Sequence, residues 1–133
     1  MTQEDKELLL KDLCARLPYG VKCENYNHID GRNVFKVTDI RDSGYICGTI
    51  NNHYCWAVFD PLELKPYLFP LSSMTEEQKM FLKKQNWCIA ISTSGTVETT
   101  IEGIDWLNEN HFDYRGLIEK GLAIDATGLN IYC

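Results

Sequence analysis

The sequence predicts an α+β fold: an antiparallel meander of four to six strands packed against two or three helices on one face. Two capped helical segments and a long stretch of strand-like alternation between them support this prediction. The chain has 133 residues, of which 44% are hydrophobic and 24% charged. These values are typical of one globular domain, residues 1–133, with a single core.

The first helix is predicted from its cap. Thr2 and Asp5 fit the looser form of the capping box. An apolar stripe follows at helical spacing: Leu9, Leu10, Leu13 and Leu17. Charged residues are expected on the wetter side of this helix: Lys6, Lys11, Asp12 and Arg16. Pro18 and Gly20 should end it.

Between Gly20 and Asp60 the hydrophobic period changes to that of strands. Turns are predicted at Asp30-Gly31, at Asp42-Ser43-Gly44 and at Asn51-Asn52. The result is a four-stranded meander over about 20–28, 32–40, 44–51 and 52–60.

Six cysteines raise the question of a metal or a disulfide: Cys14, Cys23, Cys47, Cys55, Cys88 and Cys133. No C-x-x-C pair occurs, so we expect small buried side chains instead. A cluster of Cys47, His53 and Cys55 is the best zinc candidate. With a turn at Asn51-Asn52, however, strand alternation places Cys47 on the face opposite the other two. The sequence therefore predicts no metal site and no cofactor.

A proline-rich segment spans residues 61–74 (PLELKPYLFPLSSM). Its prolines argue against a regular helix and against a central strand. Its apolar residues argue against a free linker: Leu62, Leu64, Tyr67, Leu68, Phe69 and Leu71. We predict a stiff, extended segment laid across the core. The alternative is an exposed apolar ridge that contacts a partner through Tyr67, Leu68 and Phe69.

The last half of the chain begins with a second helix, capped by Thr75 and Gln78 and ending near Asn86. A hairpin over 87–102 with a turn at Ser94-Gly95 should follow. A short helix is predicted at 104–110, then a turn or two capped by Asp113, and a final strand at 122–125.

Three segments carry a resemblance to a known family: ELLLKDLCARLPYGVK (7–22), LKPYLFPLSSMTEEQK (64–79) and IDWLNENHFDYRGLIEKGLAID (104–125). In this order they resemble small uncharacterised proteins from gut bacteria and their phages, which tend to read KPYLRPMSSMTEEE and DWLNAHHFDYRGLI. The chain departs from them at Phe69, where arginine is frequent, and at Asn110, where histidine is frequent. The resemblance implies a phage or mobile-element setting, and it brings no activity, cofactor or catalytic residue with it.

The stretch HFDYRGLI (111–118) places His111, Asp113, Tyr114 and Arg115 within five residues. Adjacent side chains on a short turn point in different directions, so the four are not expected to converge on one reacting group. Structural roles suffice for them. Asp113 can cap a turn, Arg115 can pair with Asp105 or Glu109, and His111 can terminate the preceding helix.

Charge and motifs exclude several functions. A net charge of −6 argues against binding to nucleic acid, which needs a cationic surface. The chain lacks a membrane-length apolar run and a signal-like start, which favours the cytoplasm. Neither a phosphate-binding glycine loop nor a G-x-S-x-G elbow occurs. Catalysis is thus the least supported function, and we assign no catalytic residue.

Three functions stay open. The first is a non-enzymatic interaction or regulatory protein whose partner is a host protein or a second copy of the chain. The second is a binder of a nucleotide or other anionic metabolite, with Arg115 as the anion partner and four aromatic rings: Tyr54, Trp56, Trp106 and Tyr114. The third is a small enzyme. Taken together, the candidate binding residues are Tyr67, Leu68, Phe69, Trp106, His111, Tyr114 and Arg115.

Overall fold

A computed structural model describes residues 2–27, 31–40, 46–50, 53–59, 64–87, 89–91 and 97–132. Its helices are α1 (Gln3–Arg16), α2 (Glu76–Lys84) and α3 (Ile101–Glu109). Its strands are β1 (Lys22–Asn27), β2 (Gly31–Ile40), β3 (Ile46–Ile50), β4 (His53–Phe59), β5 (Leu64–Pro70), β6 (Ala90–Ile91), β7 (Val97–Glu98), β8 (Phe112–Asp113) and β9 (Ile124–Asp125). The predicted α+β class is confirmed.

The main sheet is mostly antiparallel. Strands β4, β3, β2 and β1 lie side by side in the order of a meander, and β5 pairs antiparallel with β1. The two-residue strands β8 and β9 both pair with β5 in parallel. Strands β6 and β7 form a separate small hairpin. Strand β5 therefore joins the meander to the segments from the end of the chain.

The meander is confirmed, with one hairpin register corrected. Gly31 pairs with Asn27 and is the first residue of β2, so Asp30-Gly31 is not the two-residue turn that the sequence predicted. In the hairpin of β3 and β4, Ile50 pairs with His53 and Gly48 with Cys55, which agrees with the predicted turn at Asn51-Asn52. Beyond Gly48 the register shifts and Ile46 pairs with Phe59. A β-bulge of this kind is invisible to simple alternation.

The proline-rich segment is an internal strand, and the expectation that its prolines exclude this was wrong. Pro66 lies opposite Cys23 of β1, whereas the parallel strands pair with β5 only from Tyr67 onward. Residues of a strand direct their N–H groups alternately to its two edges. At the position of Pro66, a backbone N–H would face an edge of β5 that has no partner strand among the described residues. Proline, which has no N–H, can therefore occupy this position.

All three helices begin at a threonine cap. Thr2 and Thr75 each form a complete capping box, with Asp5 and Gln78 respectively, as predicted. After α1 a 3₁₀ turn at Leu17–Tyr19 ends at Gly20, whose φ of 69° suits glycine. Helix α3 begins three residues earlier than predicted because the hydroxyl of Thr100 accepts a hydrogen bond from the N–H of Gly103.

The segment after β8 is a series of turns and not a further helix. Both carboxylate oxygens of Asp113 accept backbone hydrogen bonds, from Leu117 and Ile118 at 3.0 Å each. Asp113 thus performs the predicted capping role on a non-helical segment. The predicted final strand is reduced to the two residues of β9.

The core lies between α1, the meander and β5. Its fully buried side chains are Leu9, Leu13, Val21, Cys23, Phe35, Val37, Ile46, Leu64, Leu68 and Leu117. Cys47 is also buried, whereas Cys14 is exposed, contrary to the expectation of burial. The side chains of the other three cysteines lie outside the described residues.

Candidate functional site

The face of α1 that was predicted to be solvent-exposed contains a buried ionic cluster instead. Asp12 and Arg16 are both completely buried. The Asp12 carboxylate accepts from Arg16 Nε at 2.9 Å and from Arg115 Nη1 at 2.7 Å. Arg115 was predicted to pair with Asp105 or Glu109, and that prediction is wrong. The three residues form what we call the Asp12 cluster, which ties α1 to the segment after β8.

Tyr114 covers this cluster. The guanidinium carbons of Arg115 and Arg16 lie 4.5 Å and 5.4 Å from the centre of its ring, so both cations contact the aromatic face. The Tyr114 hydroxyl donates to Asn108 Oδ1 at 2.9 Å. Tyr114 and Arg115 are therefore engaged in internal contacts, and their role in an anion site stays a prediction.

His111 lies in a different environment. It follows α3 with a φ of 60°, and its ring stacks on that of Tyr132, with centroids 3.7 Å apart and planes 11° from parallel. The Tyr132 hydroxyl accepts from the N–H of Lys22 at 2.9 Å and donates to the carbonyl of Tyr67 at 2.8 Å. This bridge closes the point where β1 and β5 separate. Burial raises the pKa of Tyr132, so the phenol stays protonated.

The imidazole of His111 is only 6% exposed, and its Nδ1 is enclosed without a hydrogen-bond partner. Burial, followed by the positive charges of Arg16 and Lys22, lowers the pKa of His111 from 6.5 to about 4. The ring is therefore neutral at physiological pH. Since no acceptor lies near Nδ1, the neutral ring keeps its hydrogen on Nε2 and can donate from there.

An open cleft of about 650 Å³ lies beside the stacked rings. Residues from β1, β2, β5, α2, α3 and the end of the chain line it. Its polar and aromatic lining includes Lys22, Lys36, Phe69, Gln78, His111 and Tyr132. The volume is within the range of small-molecule sites. The cleft contains His111 and excludes Arg115, so it combines only part of the predicted set.

Two lysines supply the positive charge of the cleft. The Lys22 ammonium donates to the carbonyl of Ile131 at 2.8 Å and lies 5.7 Å from the Tyr132 ring centre. The Lys36 chain passes over Gly20, where an added Cβ would lie 3.1 Å from Lys36 Cε. Glu109 is the acidic side chain in the lining. Among the described residues, the cleft thus has more cationic than anionic groups in its wall.

A continuous series of aromatic contacts leads away from the cleft. Tyr132 contacts Phe69, Phe69 contacts Phe112, and Phe112 stacks on Trp106 at 5.5 Å. Trp106 then stacks on Phe81, which meets Trp87 edge-on. Phe69 and Trp106 thus have packing roles, and only Phe69 of the two lines the cleft.

The proposed apolar ridge is not exposed. Leu68 is completely buried and Tyr67 is 8% exposed, while Phe69 is half-buried. Their strand lies inside the sheet, which explains their burial. Leu62 lies outside the described residues. An interaction through Tyr67 and Leu68 would require the core to open.

The described part of the chain contains no group of three or more histidine, cysteine or acidic side chains able to hold a metal ion. The side chains of His53 and Cys55, and likewise those of Tyr54 and Trp56, lie outside it, so the predicted separation of Cys47 from His53 and Cys55 stays a prediction. No helix within the described ranges is both long enough and apolar enough to cross a bilayer.

The chain matches no protein-family model, no curated protein and no solved structure in the comparisons made with each. The site must therefore be interpreted from its own chemistry.

Sequence reasoning found His111 but missed the residues around it. Lys22, Lys36 and Tyr132 come from distant parts of the chain and share no motif. A weak signal existed for Asp12 and Arg16: they are four residues apart on α1, at a spacing that allows an ion pair on one helix face. That spacing alone gives no sign that the pair is buried.

Proposed function

We propose that the protein is a non-enzymatic binder of a small ligand that has a planar portion and an anionic group, such as a nucleotide or an aromatic carboxylate. One observation carries the proposal. A neutral, buried imidazole that carries its hydrogen on Nε2 stands in the wall of a 650 Å³ cleft that also holds two lysines. This combination offers a hydrogen-bond donor and two cations to one molecule.

The planar portion is expected against the aromatic wall formed by Tyr132, His111 and Phe69. The rings of Tyr132 and His111 are fixed by stacking and by the hydroxyl bridge to Lys22 and Tyr67. A preformed apolar wall lowers the entropy cost of binding because few side chains need to be ordered. Polar groups at the margin, such as Gln78, would then set orientation.

The anionic group is expected near Lys36. Lys22 already donates to Ile131 and can offer a further N–H, whereas the exposed Lys36 has greater freedom to move toward a ligand. Because the whole chain carries a charge of −6, a local cationic pair would select the ligand more than steer its approach.

Binding without catalysis is favoured by the state of the two titratable rings. The Tyr132 hydroxyl is committed to backbone groups on β1 and β5, and His111 is held neutral by burial and nearby cations. A general acid–base pair would need a proton acceptor with a pKa near 7 and a freely placed donor. The proposal also includes the predicted cytoplasmic location and the predicted regulatory role. Because Tyr67 and Leu68 are buried, an exposed ridge at these residues no longer supports the regulatory role.

The test is a binding screen read by thermal shift and by the imidazole signals of His111 in NMR. Nucleoside 5′-monophosphates and 4-hydroxybenzoate serve as planar anions, with neutral nucleosides and inorganic phosphate as their separate halves. At least one planar anion should raise the melting temperature and move the His111 signals, and each half should do so less.

Two variant pairs sharpen the test. Lys36→Gln should weaken binding about tenfold, equivalent to about 1.4 kcal/mol, whereas Lys65→Gln, an exposed lysine outside the cleft, should leave it unchanged. His111→Phe keeps a ring for stacking and removes the donor, so it should also weaken binding. If no planar anion binds at millimolar concentration, or if Lys36→Gln and Lys65→Gln behave alike, the proposal fails.

A further inference from the structure

A second surface lies on α2 and α3, outside the cleft. It consists of Phe81, Trp87 and Trp106, which we call the aromatic shelf. Phe81 and Trp106 stack with centroids 6.2 Å apart and planes at 24°, and Trp87 meets Phe81 edge-on at 5.9 Å and 78°. Phe81 is 41% exposed, and both tryptophans are half-buried. The shelf thus presents aromatic surface to solvent in a fixed arrangement.

The exposure of Phe81 is not explained by the packing of α2. Leu82 is the buried residue of this helix and anchors it to the body of the protein. Phe81 adds contact with Trp106 while leaving two-fifths of its surface in water. A large aromatic side chain kept in this state is typical of a contact surface.

The surroundings of the shelf are acidic. A hollow of about 270 Å³ in front of it is lined by Glu77, Gln78, Phe81, Trp106 and Asn110. Glu77 is exposed and lies one helical turn before Phe81. Helix α3 carries three exposed acidic residues and no basic one: Glu102, Asp105 and Glu109.

The nearby lysines do not cancel this charge. Lys79 pairs with Glu76 at 3.4 Å. Lys84 lies one helical turn after Phe81, but the lining of the hollow contains Glu77 and no lysine. The hollow therefore combines aromatic rings with a carboxylate at its margin. Aromatic faces attract cations through the ring quadrupole, most strongly for tryptophan, and a nearby carboxylate adds a direct ionic partner.

We infer that the aromatic shelf is a docking site for a basic segment of a partner protein, which places an arginine or lysine side chain in the hollow between Glu77 and the rings of Phe81 and Trp106. The argument is one of complementarity: a cationic side chain satisfies the carboxylate, and its aliphatic stem covers the exposed rings. The net charge of −6 also attracts a basic partner. This inference is independent of the ligand proposed for the cleft.

The test uses a short peptide of alternating arginine and alanine and a matched peptide in which citrulline replaces arginine. Citrulline keeps the shape of the side chain and removes its charge. Binding is followed by NMR through the indole N–H signals of Trp87 and Trp106. The arginine peptide should shift both signals, and the citrulline peptide should leave them in place.

Two matched pairs of variants locate the contact. Glu77→Gln should weaken peptide binding about tenfold. Glu76→Gln, in the same helical turn and outside the hollow, should change it little. Phe81→Ser should abolish the shifts, whereas Met80→Ser, its neighbour at 67% exposure and outside the hollow, should not. Thermal melting checks that each variant is folded, and Phe81→Leu provides a second version that keeps an apolar side chain.

Three results would overturn the inference. Equal binding of the arginine and citrulline peptides would remove the role of charge. Equal effects of Glu77→Gln and Glu76→Gln would mean that attraction is general and not located at the shelf. Self-association in analytical ultracentrifugation that Phe81→Ser abolishes would identify the occupant as a second copy of this chain.

Discussion

Replacing Asp12 tests the Asp12 cluster most directly. Its carboxylate is completely buried and accepts from two arginines, at 2.9 Å and 2.7 Å. In Asp12→Asn, the Arg16 guanidinium would keep its bonds to the carbonyls of Phe112 and Leu107 and lose its counter-charge, whereas the 16%-exposed Arg115 could turn toward water. Leaving one buried cation unpaired costs about 3–5 kcal/mol. We expect a value near the lower limit, about 3 kcal/mol, because the carbonyl bonds remain.

The loss should be measured as a free energy of unfolding from urea denaturation followed by circular dichroism. Asp105→Asn, an exposed change of the same chemistry on α3, should stay within about 0.5 kcal/mol of the wild type. The double variant Asp12→Leu/Arg16→Met removes both buried charges. Its loss of unfolding free energy should therefore be smaller than the sum of the losses of the two single variants. If Asp12→Asn costs less than about 1 kcal/mol, the cluster does not hold α1 in the way that its geometry implies.

Two further predictions concern the cleft wall and the sheet. Because the pKa of His111 falls from 6.5 in the unfolded chain to about 4 in the folded protein, its contribution to stability is complete above pH 6.5 and is lost as the pH falls toward 4. Between pH 7 and pH 5 this amounts to about 2 kcal/mol, and His111→Phe should remove that part of the slope in urea melts at the two pH values; identical slopes would contradict the neutral, buried state of His111. In β3, a Cβ at Gly48 would lie 2.0 Å from the carbonyl oxygen of Lys36 and 2.7 Å from the Phe35 ring, so Gly48→Ala should cost at least about 2 kcal/mol in the same assay. Gly128→Ala serves as the comparison. Its site is open and its φ is 79°, so the substitution should cost about 1 kcal/mol through backbone strain alone. A smaller loss at Gly48 than at Gly128 would mean that β2 and β3 do not approach as closely as described.

The parts of the fold that sequence predicted are those set by local chemistry. The caps at Thr2 and Thr75 depend on residues three positions apart, and the meander depends on alternation between turns. The position of β5 could not be predicted in this way. Its place inside the sheet is set by pairing with β1 and with two short strands from the end of the chain, and these long-range contacts outweigh the unfavourable prolines.

The candidate site could not be predicted from local sequence patterns either, for a related reason. Asp12 and Arg16 belong to the most polar-looking side of α1, yet they are buried because Arg115, more than 90 residues later in the chain, provides a second partner for Asp12. Tyr132 likewise becomes part of the cleft through hydrogen bonds to Lys22 and Tyr67. A helical pattern records which residues share a face and not which distant residues will cover that face.

The stretch HFDYRGLI shows how this covering separates neighbouring residues. Arg16 donates to the carbonyl of Phe112 at 2.6 Å, which brings a buried cation of the Asp12 cluster to β8, where Phe112 also lines the cleft. Tyr114 and Arg115 then pack with that cation, while His111 lies against Tyr132. Burial, and then this charge and that of Lys22, lower the pKa of His111. The cluster therefore connects α1 to β8 and also helps to keep the imidazole neutral, so that the positive charge in the cleft comes from its lysines.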